Sequence, residues 1–245
     1  ARENVGYPRG GTTQIIEVQE KKINENGKVS LNSRVKSIQV MEGKVTGVLV
    51  RDETHKGKVY VFAAPLQGLP GVLQGISESF SEKCSSIVPT AGISMDLCLR
   101  SRVSDIDGLL VTTEPLAMGQ FTSNIDCSVA PEGKQLATFY RALPAQMMED
   151  REAVDSEVEK LKAGVEKMFP GIMDKTEWER VLKLKMVDGF EPRVGQTAKD
   201  RPGVAVPGVE NLFLAGDAVS APGSGGDVAF TTGVEAARAA LAYLK

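Results

Sequence analysis

The chain has 245 residues, 42% of them hydrophobic and 25% charged, with a formal net charge of −3. That is enough for one large domain or two interleaved ones with a full core, and the mild negative charge argues against a nucleic-acid binder, which would carry a basic stripe. No apolar run reaches the length of a membrane span, no signal peptide is read at the start, and the three separated cysteines (Cys84, Cys98, Cys127) form no CxxC pair, so a reducing, cytoplasmic setting is expected, without a zinc site or disulfide framework.

The opening "YPRGG" (Tyr7 to Gly11) reads as a loop. Thr12 or Thr13 then caps a helix running to about Asn26 and closed by Gly27, with Ile15, Ile16, Val18 and Ile23 loosely on one face. In "KVSLNSRVKSIQVMEGKVTGVLVRD", Val35, Ile38 and Val40 precede a polar turn at 42–44, and Val45, Val48 and Val50 follow it, which predicts a β-meander. The single histidine, His55, lies in the polar stretch "RDETHKGK" and reads as a solvated turn residue. A histidine triad and a multi-histidine metal site are thereby nearly excluded, and an enzyme here would draw its reactive group from a cofactor. "KVYVFAAP" is a continuous apolar run, expected as a strand buried on both faces.

The middle of the chain changes character. "GISMDLCLR" alternates Ile93, Met95, Leu97 and Leu99 with Ser94, Asp96, Cys98 and Arg100, the pattern of a half-buried strand. "GLLVTTE", "MGQFTSN" and "KQLATFYRAL" follow as further strands of an antiparallel sheet with one covered face. The cover is a helix from about Glu152 to Phe169, whose Val154, Val158, Leu161, Val165 and Met168 recur at helical spacing before Pro170-Gly171. Leu182, Leu184 and Met186 alternate in a strand leading back. With no internal repeat, the organisation is nested: an α/β start, an antiparallel α+β insert and an α/β finish.

The finish carries the chemistry. "NLFLAGD" predicts a buried strand ending in Gly216-Asp217, where a carboxylate sits at the ligand-binding end of an open α/β sheet. "APGSGGD" then offers Gly223, Gly225 and Gly226, which lack the Cβ that would obstruct a tight turn or a close ligand. The helix that follows aims its free N–H groups at that spot. The turn is not GxGxxG, since the third glycine position is Val228.

Taken whole, "NLFLAGD" followed by "GSGGDVAFTTGVEAA" resembles the C-terminal FAD-binding motif of the phytoene desaturase and amine oxidase flavoprotein superfamily. "YPRGGTTQII", "NENGKVSLNSRVKSIQVMEGKVTGV" and "VYVFAAP" are similar to that superfamily's stretch between nucleotide motif and substrate domain. "FPG" with "EWERV", and "DGFEPRVGQTAKDRPGV", resemble its phytoene-dehydrogenase-like branch. The resemblance implies a remnant of an FAD-binding Rossmann-like domain (1–65 and 188–245) holding an inserted antiparallel-sheet substrate domain (66–187). It implies that Asp217, after Gly216, hydrogen-bonds around the ribityl-diphosphate. Gly226, Asp227, Val228 and the Ala229 amide would lie at the flavin pyrimidine edge, with Gly225 before them also counted as cofactor-binding. The Val35 main chain would read the adenine, and Ala64 and Pro65 would lie near the cofactor at the crossover between domains.

One departure stands out: the family's opening strand, GxGxxG turn and ribose-binding acid are not in this sequence. The expectation is therefore either part of a longer protein or a chain that has lost FAD, with FAD held weakly or not at all by the isolated chain. The implied activity is hydride transfer between a hydrophobic small molecule and flavin N5, with the missing N-terminal FAD-binding portion or a partner chain completing the site. No catalytic residue and no metal ligand is named. The alternative is a non-catalytic binding protein similar to the Rab GDP-dissociation inhibitors. No nucleic acid and no transmembrane segment are expected, and peripheral membrane contact is left open. Lys183 and Lys185 read as the solvated face of a strand, and Arg193 and Arg201 as surface-loop arginines, although the segment holding them precedes the FAD strand.

Overall fold

The computed structural model describes residues 7–245. In chain order the elements are α1 (Thr13–Asn24), β1 (Val35–Met41), β2 (Lys44–Val50), β3 (Glu53–His55), β4 (Tyr60–Phe62), α2 (Leu69–Val72), α3 (Glu78–Ser85), β5 (Ala91–Leu99), β6 (Leu110–Thr113), β7 (Leu116–Gln120), α4 (Thr122–Ile125), β8 (Gln135–Leu143), α5 (Arg151–Met168), β9 (Thr176–Leu184), β10 (Leu212–Leu214) and α6 (Gly226–Tyr243). The fold is mixed α/β with an antiparallel insert, as expected. It divides into two compact units, residues 7–30 with 91–185 and residues 31–90 with 186–245. The expected boundaries place two segments differently. Residues 66–90 belong with β4 and β10, because Leu66, Leu69, Leu73, Phe80 and Cys84 share their core with Leu212 and Leu214. Residues 7–30 fall with the antiparallel sheet, and Gly10 N donates to the Asp126 carboxylate at 2.5 Å.

The first unit is a five-stranded antiparallel sheet in the order β6-β7-β8-β5-β9. Ile93, Met95, Leu97 and Leu99 of β5 pack against Val154, Val158, Leu161 and Val165 of α5. The two periodicities, two along the strand and 3.6 along the helix, meet in one core. Asp150 starts α5, its Oδ1 accepting from Ala153 N at 3.0 Å. Asp150→Ala is expected to lower the unit's stability by about 1 kcal/mol, the usual worth of an N-cap, read as a shift in a urea midpoint at unchanged slope.

Two expectations for this unit are corrected. β5 is not half-buried: Asp96 is 8% exposed and Cys98 is also buried. β5 is a central strand, and its neighbours' side chains close over its polar row. Thr138 Oγ1 donates to Asp96 Oδ1 at 2.7 Å, and Arg180 donates to Asp96 Oδ2 through Nε at 3.0 Å and Nη2 at 2.6 Å. In "MGQFTSN" the strand ends at Gln120, and Thr122–Ile125 forms a helical turn. Phe121 turns inward there and meets Phe169 edge-on, with ring centroids 5.0 Å apart.

The second unit holds the meander β1-β2-β3, which is antiparallel, and the parallel pair β4 and β10, with Tyr60 opposite Leu212. Asn211 links the two sheets from a buried position. Its Oδ1 accepts from Val45 N at 2.7 Å, and its Nδ2 donates to Val45 O at 3.0 Å and to Lys58 O at 3.2 Å. β10 is fully buried, as expected. β4 is not buried on both faces, since Val61 is 47% exposed. Among the described strands the two pair only with each other, and the difference lies in their cover: α6 lays Ala236 and Ala240 against Phe213 and Ala215.

Candidate functional site

β4 and β10 point the same way, so their carboxyl ends emerge together, with Ala215 N donating to Phe62 O at 3.0 Å. That end of a parallel pair is where side chains and loops can meet a ligand. From β4 come Ala63, Ala64 and Pro65, and from β10 come Gly216 and Asp217. With Gly189 they line a cavity of about 280 Å³. Alanine and glycine make up about half of the lining, and Leu66, Met186 and Val187 add apolar side chains to it. A second cavity of about 630 Å³ is lined by Val35, Ile38, Tyr60, Phe62 and Leu212, and it shares Ala63, Ala64 and Pro65 with the first.

The chain after β10 is shaped by glycine. Gly216 has φ +130°, a conformation that a residue with Cβ rarely adopts, and it turns the chain out of the strand. Gly225 has φ +54° and begins α6 without any capping side chain. The first turn of α6 thus leaves the N–H groups of Gly226, Asp227 and Val228 without an intrahelical acceptor. The first bond inside the helix is Ala229 N to Gly225 O. Thr232 joins this helix to the strand end, its Oγ1 accepting from Gly216 N at 3.0 Å and lying 2.9 Å from Gly216 O.

Asp217 is fixed rather than free. Gly189 N donates to its Oδ2 at 2.7 Å. Arg201, 4% exposed, donates through Nη1 to Asp217 O at 2.7 Å and through Nη2 to Ala221 O at 2.9 Å. The guanidinium stacks on the Phe190 ring at 3.7 Å from its centroid. Burial pushes the Arg201 guanidinium below its ordinary pKa, and the charge of Asp217 pulls it back up. An arginine stays protonated regardless. The surface-loop reading of Arg201 is thereby corrected, while Arg193 does lie on the surface beside Glu191.

The expected site residues fall into three groups. Val35, Ala64 and Pro65 line the larger cavity; Ala64, Pro65, Gly216 and Asp217 line the smaller one. Gly225, Gly226, Asp227, Val228 and Ala229 line neither, and form the α6 start tied to Gly216 through Thr232. Sequence reasoning missed Gly189 and misjudged Arg201. A lone glycine in "VDGFEP" gives no sign that a carboxylate lies against it. Lys183 and Lys185 are engaged with Asp155 and Glu149 at the surface of the other unit. In that unit a cavity of about 410 Å³ beside Arg102, Lys134 and Gln135 is lined by side chains already committed to Asp105, Glu177 and the backbone of residues 103–104.

No helix among the described residues is long and apolar enough to cross a membrane. The family model described as flavin containing amine oxidoreductase matches residues 1–241. No curated protein matches the sequence significantly. Among solved structures, an oxidoreductase from Methanosarcina mazei superposes with a TM-score of 0.78 at 19% identity, over 94% of this chain and 55% of that one. Putrescine oxidase bound to putrescine gives 0.67 at 12% identity, over 97% and 54%. Cyclohexylamine oxidase from Brevibacterium oxydans gives 0.63 at 15% identity, over 95% and 52%. At these identities the likeness is one of fold. The chain spans about half the length of these structural relatives.

Proposed function

The chain belongs to the flavin-containing amine oxidoreductase family, and from that premise we propose that it forms the flavin-end wall and the substrate domain of an FAD-dependent oxidoreductase. The observation that carries this reading is the Asp217 carboxylate, held by Gly189 N in a cavity of small and apolar residues at the carboxyl ends of a parallel strand pair. The residues fit a flavin nucleotide. Alanines and glycines leave the cavity open, the Asp217 carboxylate can accept from hydroxyls, and three helix-start amides can meet electron-rich ring atoms. Val35 would border the adenosine side, and Ala64 and Pro65, shared by both cavities, would lie near the cofactor between the two. The bound flavin would supply the hydride-accepting atom, N5. This chain's residues would orient it, keep its surroundings dry and favour negative charge beside α6.

The substrate proposed is a hydrophobic organic molecule, whether of the amine oxidase or the phytoene-desaturase type. Its wall is the sheet face away from α5, where Val111, Met118, Tyr140, Ser94 and Leu182 form one cross-strand row, with Trp178 nearby. Met118, Leu182 and Trp178 are exposed on it. The next row on this face is polar, with Gln120, Thr138, Asp96 and Arg180, and hydride transfer needs a near-attack geometry more than an acid or base. A further FAD-binding portion, on the same or another polypeptide, would complete the adenosine end, and a cytoplasmic setting with optional membrane contact goes with this reading. The family match weighs against the GDP-dissociation-inhibitor-like alternative.

The test is a visible absorption spectrum of the purified chain after FAD is added and free cofactor is removed by desalting. A retained yellow band is the expected result if the flavin end alone suffices. A colourless chain that regains the band once an N-terminal nucleotide-binding portion is supplied would support the composite site. A colourless product in both cases would sink the flavin reading and leave a binding role.

A further inference from the structure

We propose that Arg201 is a positioning residue for the Asp217 carboxylate, a role that rests on the flavin reading only for what Asp217 would meet. Arg201 reaches the carboxylate by two routes. Directly, its guanidinium bridges Asp217 O and Ala221 O, the two ends of the segment that leads from β10 to the glycine turn. Indirectly, it stacks on Phe190, the residue after Gly189, whose N–H holds Asp217 Oδ2. The carboxylate is thus gripped through its own main chain and through its hydrogen-bond donor by one side chain. The strap carrying Arg201 adds to this. Ser220 N donates to Pro202 O at 2.7 Å, and the Ser220 hydroxyl donates to Ala198 O.

Bracing alone does not account for an arginine here. The guanidinium is buried, its Nε–H meets no acceptor among the described residues, and no carboxylate oxygen among them contacts it. A buried charge without a contacting counter-ion is disfavoured relative to an apolar residue of the same volume. Lysine could place a charge there but cannot span two carbonyls, because its ammonium is a single point on a flexible stem. The flat fork is the property in use. It sets the spacing of residues 217 and 221, and the ring beneath it sets the height of Gly189.

The test compares wild type, Arg201→Lys and Arg201→Met by hydrogen exchange of the cofactor-free chain, followed by FAD titration. In Arg201→Lys, amides of residues 186–191 are expected to exchange about tenfold faster, together with those of 217–221, the scale of losing one charge-assisted hydrogen bond. β5 and β8 should keep their protection. FAD affinity should fall by about tenfold, and by no more than that of Asp217→Ala when the two changes are combined, since both would act through one group. Faster exchange in 217–221 with residues 186–191 unchanged would mean a local brace and overturn the proposal, as would exchange equal to wild type throughout. Where Arg201→Met unfolds locally, the lysine variant decides. A wild-type chain that retains no FAD even when an N-terminal nucleotide-binding portion is supplied counts against the functional reading, while the exchange result still decides the role of Arg201.

Discussion

Gly189→Ala is expected to leave the chain folded and to weaken its hold on FAD by about tenfold to a hundredfold, the value of one hydrogen bond to a charged group. Gly189 does not need glycine for its backbone, since its φ lies outside the left-handed region. It needs glycine for space. A Cβ there would lie 2.4 Å from Asp217 Oδ1, 3.2 Å from its Cγ and 3.1 Å from the Ala218 Cβ. Asp217 cannot move away as a unit, because Arg201 holds its carbonyl and Ala218 is itself buried. The carboxylate must rotate about its own side-chain bond, and the 2.7 Å bond from Gly189 N is lost. FAD titration beside a thermal melt separates the two effects. Unchanged affinity in a folded variant would mean that Asp217 takes no part in holding the cofactor.

That contact shows where sequence reasoning stops. Elements with strong periodicity were legible: the α5 stripe, the β1–β2 hairpin and the apolar run of β10 each matched the structure, because burial and backbone period act within a dozen residues. The Gly216-Asp217 end and the α6 start were legible as well, since strand, glycine turn and small-residue helix are consecutive. Burial of β4 and β5 was misjudged in opposite directions, for one reason. How deeply a strand is buried depends on what covers it: side chains of β8 and β9 close over β5, while Val61 of β4 stays open. A strand's own alternation does not report that cover. Gly189 and Arg201 were illegible as partners of Asp217 because they lie 28 and 16 residues away from it. Nothing in "VDGFEP" or "KDRPGV" distinguishes a contact to Asp217 from an ordinary loop.

Glu157→Ala is expected to destabilise the five-stranded unit by about 3 kcal/mol, because it strands a charge rather than removing a pair. Glu157 is buried on α5, and it accepts from Arg141 Nε at 2.8 Å and from Lys160 Nζ at 2.7 Å. Arg141 on β8 also donates to Leu116 O at 3.0 Å, so helix, β8 and β7 meet at this pair. Replacing both Arg141 and Glu157 with leucine should restore much of the loss, which a double-mutant cycle reads as a coupling of about 1–3 kcal/mol. The pH dependence follows in sign. The hydrogen bond from Lys160 holds the Glu157 carboxyl below its ordinary value, burial opposes this, and Arg141 adds to the lowering. The carboxyl therefore binds its proton more readily in the unfolded chain. Its contribution is fully present above the unfolded pKa of about 4.3 and disappears as pH falls through the lower folded value. Urea unfolding should accordingly show the full gap between wild type and Glu157→Ala at neutral pH and a shrinking gap below that value. A gap of equal size at both ends would assign the loss to packing and not to the ionised pair.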